Sequence, residues 1–262
     1  MRSWILVTGT QEAGKTTFAC RLIKSFRSRP LDVMRLHSDA KVKEVTRLGV
    51  SKRNREQQEF FAAGAVDVDV FLAPPGKDYE AIKAYMEGAY VFGGGNAVVF
   101  EGDAVGRHLT CDVTVFVMPV HEEGDDPYPL TPLKIPGLRE LLGIEEDEDG
   151  PDLEELEELE DGDEGEIIAE VSEEEAKILA LNLAGVLLEN RPRPEYELLT
   201  RTNLIVINRR EGDRPEDVAY TRSRVEKMLA DRHRRASVHV CDLSDPKDPE
   251  LKKALARVKR LM

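Results

Sequence analysis

Trp4-Ile5-Leu6-Val7-Thr8 runs directly into Gly9-Thr10-Gln11-Glu12-Ala13-Gly14-Lys15-Thr16, and Phe18, Leu22, Ile23 and Phe26 then recur at helical spacing. The first five residues form a short apolar run bounded by glycine, which reads as a buried strand. The next eight fit G-x-x-x-x-G-K-[ST], a loop whose glycines let the backbone aim successive N–H groups at phosphate oxygens. The helix that follows, Lys15 to Arg27, adds the positive end of its dipole at the same point. This sequence context predicts that Gly9, Thr10, Gln11, Glu12, Ala13, Gly14, Lys15, Thr16 and Thr17 hold the phosphates of a nucleoside triphosphate. Lys15 is expected to reach the β- and γ-phosphates, and the Thr16 hydroxyl to bind Mg²⁺.

Outward from this loop, strand patterns alternate with helical ones. Strands are expected at 32–36, 66–72, 97–100 and 113–117, with helices at 54–63 and 78–89. After Pro119 the pattern breaks. Residues 121–137 read as loop, and 145–175 contain no Lys or Arg while acidic residues dominate. Order returns with a helix over 176–188, a strand over 203–208, a helix over 215–231, a strand over 237–241 and a closing helix over 249–261. The chain is therefore expected to be a single α/β P-loop NTPase domain over 1–262. Its mostly parallel sheet would carry helices on both faces, and 120–175 would be an acidic, partly disordered insertion.

The 262 residues include 37 basic and 51 acidic side chains, a net charge of −14. That balance argues against a nucleic-acid-binding surface, which needs basic residues to displace counterions from phosphates. Cys20, Cys111 and Cys241 are widely spaced, forming neither a disulfide framework nor a zinc ribbon, and suit a reducing cytoplasm. No signal peptide or membrane-spanning apolar run is visible, so a cytoplasmic location is expected.

Three further stretches are expected to complete the site. Val98-Val99-Phe100 ends in Glu101-Gly102-Asp103, where a carboxylate could order Mg²⁺ or the attacking water. Asp103-Ala104-Val105-Gly106 also fits a D-x-x-G loop that senses the γ-phosphate. Asp39, just beyond the second strand, is a further candidate Mg²⁺ ligand. Finally, Leu204-Ile205-Val206-Ile207-Asn208-Arg209-Arg210-Glu211 ends a buried strand where GTPases carry N-K-x-D. In that motif the Asp accepts two hydrogen bonds from guanine, which adenine cannot supply. Arg209 and Glu211 stand here for the Lys and Asp, and the pairing leaves GTP favoured with ATP open.

With these pieces placed, the chain resembles the SIMIBI class of P-loop GTPases, and within it the maturation GTPases that serve metalloenzymes. The order Phe100–Asp103, Asp112–Val117, Glu122–Asp126 and Leu204–Glu211 looks like the nickel-insertion GTPases of urease and hydrogenase. Ala62-Ala63-Gly64-Ala65 before a strand looks like the MobB family of molybdenum cofactor assembly. The resemblance covers most of 1–119 and 200–262. It implies a homodimeric nucleotide-dependent switch with a metalloenzyme or cofactor-assembly client. Gln11 and Glu12 stand where that class often has a second lysine, and the Cys-Pro-His metal motif of the nickel group is absent; His108 and Cys111 are the nearest candidates for a shared metal. Two other readings remain: a small-molecule or nucleoside kinase, with lid arginines drawn from Arg53, Arg55, Arg191 and Arg193, and a non-catalytic nucleotide-binding scaffold.

Overall fold

The structure, a computed structural model, describes residues 3–26, 29–49, 55–92, 97–127, 196, 198–231 and 235–262. These all belong to one compact unit formed by Met1–Pro129 and Pro192–Met262. Of the acidic stretch 120–175, only 120–127 fall among the described residues. The rest of it, and the helix expected over 176–188, lie outside them.

The strands are β1 (Ser3–Gly9), β2 (Leu31–Ser38), β3 (Thr46–Leu48), β4 (Asp67–Ala73), β5 (Ala97–Glu101), β6 (Val113–Pro119), β7 (Leu204–Asn208) and β8 (Ser237–Cys241). The helices are α1 (Lys15–Ser25), α2 (Arg55–Ala63), α3 (Asp78–Phe92), α4 (Val105–His108), α5 (Pro215–Asp231) and α6 (Pro249–Leu261). One sheet carries the strands in the order β3-β4-β2-β5-β1-β6-β7-β8. Among the described residues only the β3–β4 pair is antiparallel, and the other pairs are parallel. A parallel sheet needs covering on both faces, and alternation along the strands supplies two apolar layers. Ile5 and Val7 of β1 join Phe18, Leu22, Val99, Val115, Val206, Leu251 and Val258 on one face, under α1 and α6. Leu6 points the other way, with Met34, Phe100, Phe116, Ile82, Val225 and Leu229, under α3 and α5.

The seven expected strands are all present, within two residues at each end. Among the described residues three short elements are additions, one of them a single 3-10 turn at Leu199–Arg201. The edge strand β3 is only Thr-Arg-Leu, two residues of it exposed, and gains its structure from pairing with β4. The four-residue α4 follows Asp103 directly. Among the described residues, no helix is long and apolar enough to cross a membrane.

β1 lies between β5 and β6, and its carboxyl end opens into the loop before α1. In open α/β sheets, ligands bind beyond the carboxyl ends of the strands. A cavity of about 680 Å³ lies there.

Candidate nucleotide-binding site

The loop between β1 and α1 is built against the sheet. Gly9 has φ 137°, and a Cβ placed on it would lie 1.8 Å from the Val117 carbonyl oxygen, so no side chain fits. Thr10 N donates to that same carbonyl at 3.1 Å. Gly14, at φ 100°, caps α1, and a Cβ there would meet Asn208 Nδ2 at 2.9 Å. The first helical bond is Phe18 N to Gly14 O, which leaves the amides of the first turn without helical acceptors. Gly14, Lys15, Thr16 and Thr17 line the cavity, so that turn presents donors to an anion. Gln11 and Glu12 line it too, while Ala13 is fully buried behind them.

Lys15 Nζ donates to the carbonyls of Gly9 and Thr10, both at 2.8 Å, and lies 3.3 Å from Asp103 Oδ1. Asp103 Oδ1 also accepts from the Thr8 hydroxyl at 3.2 Å and from Gly9 N at 3.3 Å. The carboxylate is therefore fastened to the start of the loop, with its side chain 40% exposed.

Beneath Lys15 a buried group joins three elements. Thr16 Oγ1 donates to Glu101 Oε1 at 3.1 Å and accepts from Arg35 Nη1 at 2.7 Å. The same Nη1 lies 2.8 Å from Glu101 Oε2. Arg35 Nε donates to His37 Nε2 at 2.6 Å. Arg35 and Glu101 are register partners on adjacent strands, which makes the contact a property of the β2–β5 pairing. Burial pushes the Glu101 carboxyl above its usual range, opposed first by the Arg35 guanidinium and then by the Thr16 hydroxyl. Arg35 and His37 line the cavity, and sequence reasoning had assigned neither to the site. A signal for Arg35 was available: it interrupts the apolar run Val33-Met34-Arg35-Leu36 in a strand buried at that point.

Mg²⁺ takes oxygen ligands and combines one or two carboxylates with substrate phosphates. The Thr16 hydroxyl and Glu101 carboxylate form such a donor pair at the cavity wall, and their chemistry fits the ion. Asp39 stands apart: it is absent from the cavity lining, its Oδ1 accepts from Lys41 N at 2.9 Å, and it closes its own turn. Gly106 is also accounted for by packing, since a Cβ there would lie 2.3 Å from Leu198 Cδ1 and 2.6 Å from Leu6 Cδ2.

The residues expected to read the base divide between two environments. Asn208 is buried and faces the back of the phosphate loop, where its Nδ2 donates to Ala13 O at 2.9 Å. Its Oδ1 accepts from Leu243 N at 3.3 Å, in the segment after β8. Arg210 Nη2 donates to the Glu12 carbonyl. Arg209 is 3.8 Å from Asp248. Glu211 is exposed on the following turn and does not line the cavity.

Elsewhere, His108 packs against Tyr79, with ring centroids 5.9 Å apart. Burial pushes the Cys111 thiol up to about 12, which disfavours a metal-binding thiolate. Among the described residues, no three His, Cys, Asp or Glu side chains are grouped to hold a metal ion. Arg55 pairs with Glu59 at 3.0 Å on α2, and Arg53, Arg191 and Arg193 lie outside the described residues.

A glycine-rich turn on the central strand, a lysine and a threonine on the first turn of α1, and a carboxylate on the adjacent strand stand together in a mainly parallel sheet. This is an α/β P-loop fold. No protein-family model and no curated protein sequence matches the chain. Among solved structures, it is similar to HypB from Helicobacter pylori in complex with nickel, at 11% identity and a TM-score of 0.49. That match covers 99% of this chain and 86% of the other. The likeness is distant.

Proposed function

We propose that the chain is a Mg²⁺-dependent nucleoside triphosphatase. The observation that carries this reading is the placement of Lys15 and Thr16 on the first turn of α1, directly above Glu101. A triphosphate entering the cavity offers Lys15 phosphate oxygens in place of the carbonyls of Gly9 and Thr10, and an ammonium is attracted more strongly to an anionic oxygen than to a neutral carbonyl. The first-turn amides share the negative charge. Thr16 and Glu101 are the residues that would hold Mg²⁺, which when bound neutralises charge on the β- and γ-phosphate oxygens. Asp103 orients the attacking water. The water oxygen bonds to the γ-phosphorus as the bridging P–O bond breaks, giving the diphosphate and inorganic phosphate. Loss of the γ-phosphate then returns Lys15 to the carbonyls of Gly9 and Thr10 and to Asp103, and this exchange of partners is the switch.

Guanine is the preferred base in this reading, with Glu211 accepting the guanine N–H pair. The bond from Arg210 to the Glu12 carbonyl supports it, because it holds the 209–211 turn against the phosphate loop. The order of motifs along the chain supports a role in metallocentre or cofactor assembly, in which two copies of the chain would act on a client protein.

The test is a titration of purified protein plus Mg²⁺ with fluorescent GTP and ATP analogues, repeated with Lys15→Ala and Glu211→Ala. Lys15→Ala should weaken binding roughly 100-fold or more, since about 2.8 kcal/mol is the worth of one to two hydrogen bonds to a charged group. Glu211→Ala should abolish a preference for GTP. Equal affinities for GTP and ATP in the parent would refute base reading, and no binding of either would refute the proposal as a whole.

A further inference from the structure

The oxygen pair that suits a divalent metal already holds a cation. Arg35 Nη1 lies 2.7 Å from Thr16 Oγ1 and 2.8 Å from Glu101 Oε2. A divalent metal ligated by those two oxygens would bring a second positive charge against the atoms that Nη1 now faces, and in a buried site the two cations repel. The charge count agrees, because one carboxylate, almost fully buried, balances one guanidinium and would not balance a guanidinium and a divalent ion together. Arg35 also has a second anchor: its Nε donates to His37 Nε2, which lines the same cavity. Because the guanidinium is planar and rigid, releasing the oxygens turns the whole fork and opens the His37 bond with it, so the three contacts are lost together.

We propose that Arg35 is the resident cation of this site, and that its guanidinium and a divalent metal are alternative occupants of the Thr16–Glu101 pair. The proposal rests on the reading of this cavity as a nucleotide and metal site, and it assigns the residue that governs metal affinity. In the nucleotide-free chain the guanidinium keeps Thr16 and Glu101 together and disfavours metal alone. Arriving phosphates supply the negative charge that draws metal onto the oxygens and receives the displaced guanidinium. Metal then binds as a partner of the nucleotide and only weakly before it.

The experiment is an electron paramagnetic resonance titration of Mn²⁺ into nucleotide-free protein, for the parent, Arg35→Gln, Arg35→Lys and Arg35→Gln/Thr16→Ala. Arg35→Gln should bind Mn²⁺ about tenfold tighter or more, since it removes a like charge from a buried site. Adding Thr16→Ala should reverse that gain. Arg35→Lys retains the charge needed for folding but is too short to hold both oxygens and His37, so a smaller gain is expected. If Arg35→Gln does not fold, Arg35→Lys decides the matter. Mn²⁺ affinities within about twofold of the parent in the folded variants would overturn the proposal. A parallel titration with a fluorescent nucleotide in chelator, using Lys15→Ala as control, separates the two failures: loss of nucleotide binding with the Mn²⁺ gain intact sinks only the nucleotide reading.

Discussion

Replacing Asn208 by alanine tests what this residue does, because its two possible roles predict different readouts. As a prop for the phosphate loop, its side chain joins Ala13 O at 2.9 Å to Leu243 N at 3.3 Å. Ala13 and Leu243 are 0% and 2% exposed, so water cannot replace either bond. Each buried polar group left without a partner costs about 1–3 kcal/mol. The longer bond to Leu243 belongs at the low end, which puts the total at about 2–4 kcal/mol. In a chain of this size each kcal/mol moves Tm by about 2–4 °C, so Asn208→Ala should melt roughly 5–15 °C below the parent by far-ultraviolet circular dichroism. Asn208→Asp separates the two bonds: it keeps an acceptor for Leu243 N but sets a carboxylate oxygen against the Ala13 carbonyl, and should be destabilised at least as much. Melting of both variants within about 2 °C of the parent, the scale of an ordinary surface substitution, would refute the prop. A base-reading side chain would instead lose nucleotide affinity with little change in Tm.

Gly106→Ala should destabilise the chain by about 1–3 kcal/mol through overpacking against Leu198 and Leu6. Unchanged Tm with altered nucleotide turnover would instead return Gly106 to a γ-phosphate-sensing role. The cysteines offer a pH-linked check, because burial raises Cys20 to about 11 and Cys111 and Cys241 to about 12, from 9.0. Below pH 9 their thiolate fractions are about a hundredfold and a thousandfold lower than those of ordinary thiols. Iodoacetamide should therefore label Cys20 first and the fully buried Cys241 last, with all three reacting quickly in denaturant. The stability gained by burying these thiols is complete below pH 9 and is lost as pH rises towards 12. Rapid labelling of Cys241 in the native protein would contradict its burial.

How far the sequence reveals this molecule depends on how local each feature is. The phosphate loop declares itself because its spacing, glycines and flanking periodicities all lie within 26 residues. β3 does not, because Thr46-Arg47-Leu48 has no apolar pattern and becomes a strand only by pairing with β4. The contact between Arg35 and Glu101 requires knowing that β2 and β5 are neighbours, although 65 positions separate the two residues. Asn208 was identifiable as a site residue from its place at a strand end. What it touches was not, since Ala13 and Leu243 come to it from two other connections.

The two edges of the sheet stand in unequal relation to the cavity at the phosphate loop. β3 forms one edge and, among the described residues, has no hydrogen bond or ion pair to the phosphate loop. The other edge, β8, leads into Leu243, which bonds Asn208 through its amide and Arg21 of α1 through its carbonyl. Arg21 also bonds the carbonyl of Ser244 at 2.8 Å. Fraying at β3 should therefore leave the phosphate loop whole, whereas fraying at β8 should pull on it from behind. By linkage, whatever fills the cavity should protect the β8 edge in return, and hydrogen exchange with and without it should show added amide protection on that side of the sheet and little at β3.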